Sequence, residues 1–148
     1  MATLKVKIQE DIILDNQDYS SKRVLEIASI DEVNRRIVTC AASQTTTIAV
    51  FNSNVYGADG AIDIEDSKYI RVTNLDSSNA VELAVVGAAT LYQVTLAAGQ
   101  SHILGSADGL MLAEADTSPS FGTMADIGSI QVNPGGNAVS VELFIASA

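Results

Sequence analysis

Apolar and polar residues alternate along most of this chain with the period of an extended strand, not of a helix. Leu4, Val6 and Ile8 alternate with Lys5 and Lys7. The polar stretch DNQDYSSK (15–22) reads as a loop. VLEIASI (24–30) and RRIVTC (35–40), separated by the turn-like DEVN (31–34), predict a hairpin. SQTTTIAVF (43–51) is a further β-branched run, and NSNVYGADG (52–60) is loop chemistry. AIDIE (61–65) makes a short strand.

The clearest stretch is YIRVTNLDSSNAVELAVV (69–86), a strand, a polar turn and a second strand. Its alternation turns Ile70, Val72, Val81, Leu83 and Val85 inward. LYQVTL (91–96) and SHIL (101–104) flank the turn AAGQ, and IGSIQV (127–132) and AVSVELFIA (138–146) flank NPGGN. In the last strand Val139, Val141, Leu143 and Ile145 share one face, opposite Ser140, Glu142 and Phe144. DGLMLAEAD (108–116) reads as a strand entering a loop, and TSPSFGTMAD (117–126) as the longest late loop. Roughly nine to eleven short strands with turns every 8–12 residues make a single-domain, all-β, antiparallel β-sandwich or barrel over residues 1–148.

Composition agrees and charge narrows the function. The apolar mass is Val, Ile, Leu and Ala, with no Trp and 5% aromatics. Of a net charge of −10, residues 1–71 hold all 8 basic residues, and the 77 residues after Arg71 contain no Lys or Arg. Nucleic-acid binding needs cations to neutralise phosphates, and anionic membrane surfaces need the same, so neither is an expected partner. Residues 83–107 lack formal charge but alternate and are broken by polar residues, so they do not read as a membrane span. The N-terminus has no signal-peptide pattern, which points to synthesis in a cytoplasm.

The groups that do chemistry are scarce. One His, His102, has Ser101 on the opposite strand face and reads as a half-buried strand residue, not a base. One Cys, Cys40, allows no intrachain disulfide and reads as a buried thiol. With one Cys and one His, no zinc site is expected. The acidic run DGAIDIED (59–66) offers Asp59, Asp63, Glu65 and Asp66 to a hard cation but matches no calcium loop and reads as solvated surface. Tyr56, among Asn52, Asn54 and Gly57, is the candidate sugar platform. No catalytic residue, metal ligand or cofactor is therefore expected, and the chain reads as a non-enzyme.

What remains is surface. Open β edges usually carry charged guards, Lys above all, and residues 72–148 have none. Those edges are covered within the fold or by neighbouring subunits. Positive contacts to a partner must come from the first half, with Lys5, Lys7, Lys22, Arg23, Arg35 and Arg36 as the candidates.

KYIRVTNLDSSNAVELAVV (68–86), LYQVTLAAGQSHIL (91–104) and IGSIQVNPGGNAVSVELFIAS (127–147), with RRIVTCAASQTTTIAVF (35–51) before them, together resemble small β-sandwich virion proteins of tailed bacteriophages, of the capsid decoration (cement) type. The resemblance is one of strand order and style over about two-thirds of the chain. It implies a jelly-roll-like sandwich, a homotrimer, and binding to the major capsid protein on the outside of the head. It makes residues 1–20 a candidate extended arm on the shell or a neighbouring subunit. A head–tail or tail component, and a carbohydrate-binding sandwich of a phage fibre, are the alternatives.

Overall fold

The computed structural model describes residues 1–54, 56, 60–87, 91–114 and 117–148. Their strands are β1 (Ala2–Glu10), β2 (Ile13–Leu14), β3 (Gln17–Asp18), β4 (Ser21–Ile30), β5 (Glu32–Cys40), β6 (Thr46–Asn52), β7 (Ile62–Asp63), β8 (Ser67–Asn74), β9 (Val81–Gly87), β10 (Leu91–Leu96), β11 (Ser101–Leu104), β12 (Ile127–Asn133) and β13 (Val139–Ser147). One sheet has the order β10-β9-β12-β6-β7 and the other β11-β8-β13-β5. All pairings are antiparallel except that of β6 with the short β7.

The partners nest. β9 pairs with β10, β8 with β11, β6 with β12 and β5 with β13. A long hairpin rolled up in this way, with its strands dealt alternately to two sheets, is a jelly roll. The expected sandwich is therefore the observed one.

Alternation explains the core. Ile70, Val72, Val81, Leu83, Val85, Val139, Val141, Leu143 and Ile145 are all buried and meet in one cluster between the sheets. Ile48, Phe51, Ile130 and Val132 complete it from β6 and β12. One lateral seam is closed where Tyr92 Oη and His102 Nε2 meet at 3.0 Å from edge strands β10 and β11. At the other, Arg36 on β5 donates to the carbonyl of Ile48 on β6.

The N-terminal third departs from expectation. Residues 24–30 and 35–40 do not form a hairpin. β4 pairs with β1, whereas β5 pairs with β13 along its whole length. Residues 32–34 are strand, and the chain bends just before them, where Ser29 has φ 63° and the Asp31 amide donates to the Ser147 carbonyl at 3.1 Å. Residues 15–22 are not a loop either. Asp15 and Asn16, with φ 48° and 65°, make a tight hairpin turn between β2 and β3, the conformation that two-residue hairpins require. β1 to β4 thus form a two-stranded ribbon over residues 2–30, which takes in the segment 1–20 that the resemblance makes a candidate arm. Of 108–116, the described part contributes only the isolated bridge of Met111 with Ala125.

Candidate docking surface on the N-terminal ribbon

The register of β1 with β4 sorts the ribbon into two faces, because residues directly opposite each other project to the same side. Leu4, Val6 and Ile8 stand opposite Ile27, Leu25 and Arg23, while Lys5, Lys7 and Gln9 stand opposite Glu26, Val24 and Lys22. The first face is apolar. Near its base Leu4, Val6 and Ile27 pack with Ile30 on Tyr69, Phe144 and Ala146 of the outer surface of the β8–β13 pair. Farther out the ribbon leaves that surface, and Val6, Ile8 and Leu25 face Tyr69, Ile103 and Leu104 across an apolar cleft of about 260 Å³. Arg23 and Lys68 also line this cleft.

Beyond Ile8 the ribbon projects free of the sandwich. Its end is held by its own hydrogen bonds. The Tyr19 amide donates to the Ile12 carbonyl and the Ile12 amide to Ser20 Oγ, both at 3.0 Å. Ser20 in turn donates its amide to Asp18 Oδ1 at 2.8 Å. Hydrogen bonds from the Ser20 side chain, then its amide, hold the Asp18 carboxyl below its usual range. The large side chains at this end are left to solvent. Ile12, Ile13, Leu14 and Tyr19 are all more than half exposed, Ile13 at 74%. An isolated two-stranded ribbon is marginal in water, so an apolar end on one signals a contact to be made.

The six expected cationic contacts separate. Lys5, Lys7 and Lys22 share the polar face of the ribbon, where Lys5 Nζ pairs with Glu26 at 2.8 Å. Arg23 lies on the cleft side. Arg35 and Arg36 are held by acceptors of the sandwich, Arg35 by Glu142 on its outer surface at 2.7 Å and Arg36 by the Ile48 carbonyl. The apolar end went unread in the sequence. Its signal was IILDN, an apolar triplet running into two residues that readily take positive φ.

The other candidates stand apart from this surface. His102 is half-buried against Tyr92, and burial lowers its pKa. Cys40 is buried in the core, which raises its thiol pKa. In the acidic run, Asp59 lies outside the described residues. The Glu65 amide donates to Asp63 Oδ1, and the hydrogen bond between the two carboxyls raises the Glu65 pKa. Among the described residues no group of three or more His, Cys, Asp or Glu is arranged to hold a metal ion. Tyr56 is fully exposed beside a cleft of about 320 Å³ lined by Asp31, Glu32, Asp63 and Asp66. A second recess, on the outer face of the five-stranded sheet, is lined by Glu82, Gln93, Gln131 and Asn133.

No protein-family model and no curated protein matches this chain. It is similar to a solved chain from work on Bacillus, described as "Bacillus endospore appendages form a novel family of disulfide-linked pili". The identity is 11% and the TM-score 0.43, over 83% of this chain and 94% of that one.

Proposed function

We propose that this chain is a non-enzymatic structural protein of a virus particle, a capsid decoration protein that binds the outside of a tailed-phage head. The observation that carries the reading is the ribbon, a projecting element with a basic face and an apolar end on an otherwise closed jelly roll. The sequence resemblance supports it. Lys5, Lys7 and Lys22 would meet acidic groups of the major capsid protein. Each contact is weak alone, and repetition over a symmetric shell sums them by avidity. Co-sedimentation of the purified protein with expanded heads tests the reading. Pelleting in proportion to head number is expected, reduced by Lys5→Glu with Lys7→Glu. A protein that stays in the supernatant at all head concentrations would overturn it.

A second reading rests on Tyr56. A fully exposed ring beside a cleft with Asp31, Glu32, Asp63 and Asp66 has the parts of a sugar site. A glycan array tests it, the expected signal being binding that Tyr56→Ala abolishes.

A further inference from the structure

We propose that the apolar end of the ribbon docks in the ribbon–sheet cleft of a second copy of this chain, so that copies join head to tail. This inference does not depend on the capsid reading; it names the surface of a neighbouring subunit that such an arm would take.

The end cannot fill its own cleft. Pairing is continuous from Leu4 with Ile27 to Glu10 with Ser21. The turn at Asp15–Asn16 therefore stands about 20 Å beyond Ile8 at the rise of a strand. Folding it back would break that register. The occupant must come from another molecule.

Apolarity and charge identify the occupant. The end presents Ile12, Ile13, Leu14 and Tyr19 together with Asp11, Asp15 and Asp18. The cleft presents apolar walls together with Arg23 and Lys68, neither of which is in a salt bridge among the described residues, although Lys68 Nζ donates to the Glu65 carbonyl at 2.6 Å. Each set is the complement of the other. The other large clefts of the body do not match. The recess by Tyr56 is lined by four carboxylates and would repel the three aspartates. The recess on the five-stranded sheet carries Glu82 and no cation, and so does a cleft of about 290 Å³ at Ala80, Thr95 and Pro134. The chain is −10 overall, so an apolar recess bordered by two cations is an unusual place on it.

The backbone supports the same contact. β11 is an edge strand, and its Ile103 and Leu104 line the cleft. It pairs on one side with β8, and its other side, beyond the Tyr92–His102 contact, can pair with β2 or β3 of an incoming end, as extended segments do on sheet edges. This answers the lack of Lys guards on the late strands, since a neighbour covers the edge. The two contact surfaces are different on each copy. Such heterologous contacts close into a ring if the rotation allows and otherwise form a filament.

Sedimentation velocity and light scattering of the full chain test the proposal. A mass that rises with concentration above the 15.5 kDa monomer is expected. Ile13→Ser and Leu14→Ser should each weaken association at least about tenfold, with unchanged circular dichroism because both side chains are exposed. Arg23→Glu with Lys68→Glu should dissociate the assembly, and adding Asp11→Lys with Asp18→Lys should restore it. Under oxidation, Ile13→Cys mixed with Ile103→Cys should give a crosslinked pair that neither chain gives alone. A monomer at every concentration, a dominant Ile13→Cys self-crosslink, or no rescue by the charge reversal would each overturn the inference. Loss of head binding on Ile13→Ser in a chain that remains monomeric would assign the end to the shell instead. Self-association without head binding would overturn the capsid reading alone.

Discussion

Arg71 reaches diagonally across the β8–β13 pair to Glu142, with Nη2 and Oε1 2.6 Å apart on the outer surface of the four-stranded sheet. Arg71 stands opposite Phe144 and holds its guanidinium 5.7 Å from that ring's centre. From the other side Arg35 gives Glu142 Oε2 two hydrogen bonds, at 2.7 and 3.0 Å. The last basic residue of the chain thus serves the one carboxylate of the final strand.

Removing that carboxylate should cost more than removing its exposed partner. Glu142 is buried, and Glu142→Ala leaves two guanidiniums without their acceptor, at a cost of about 2–3 kcal/mol. The Arg35 side chain is 65% exposed, so Arg35→Ala should cost less than about 1 kcal/mol. Urea unfolding of the two variants checks the ordering. Equal losses would mean that Arg71 alone does not sustain Glu142.

The same carboxylate sets an acid limit. Hydrogen bonds from Arg35, then Arg71, hold Glu142 below its ordinary 4.5, and backbone amides of Asn79 and Ser78 do the same for Asp76 below 3.8. A lowered folded pKa means that the unfolded chain binds the proton more tightly. The stabilisation is complete above about pH 5 and is lost as pH falls through the folded values. Burial lowers His102 from 6.5 in the same direction, adding a loss that begins as pH drops past that value. Urea midpoints between pH 7 and 3 should fall, and Glu142→Gln should flatten the curve below pH 5. A profile unchanged in Glu142→Gln would remove the ion triad as its cause.

Asn74 should be among the least replaceable residues. It is fully buried, and its Nδ2 donates to the carbonyls of Asn79 at 2.8 Å and Leu96 at 3.1 Å while its Oδ1 accepts from the Asp76 amide at 3.0 Å. This ties the β8–β9 turn to the end of β10. Asn74→Ala should cost about 2–4 kcal/mol through unpaired carbonyls, and Asn74→Asp more, since it aims an acceptor at acceptors. Thermal unfolding measures both. A loss below about 0.5 kcal/mol for Asn74→Ala would show that water replaces the amide.

Cys40 should be silent in the native state. It is fully buried, and desolvation raises its pKa, so little thiolate is available. Ellman's reagent should react only as the chain unfolds, with a rate that tracks the urea transition. Rapid labelling of the folded protein would show that the seam beside β5 opens.

The expectations that held rested on local alternation. The inward faces of β8, β9 and β13 follow from period two within each stretch, and the turns at 75–79 and 133–137 from their Asp, Asn and Gly. Those that failed concerned partners. Residues 24–30 and 35–40 had the spacing of a hairpin, but β5 aligns with β13, where Arg35 meets a carboxylate 107 positions away. At 15–22 the hairpin strand β3, like its partner β2, is two residues long, too short for any period to show. Arg35 and Arg36 looked like free cations until the fold placed acceptors beside them.

By itself, then, the sequence determined the inward faces of β8, β9 and β13, because a strand's faces are set by its own backbone. It also determined that cations would be confined to the first half. The tertiary structure decided which strand lies beside which, and so created the ribbon, its cleft and the Arg35–Glu142–Arg71 triad. The reason is that strands pair through amides and carbonyls that every residue shares. Their choice of partner comes from how the whole set of buried faces closes on one core.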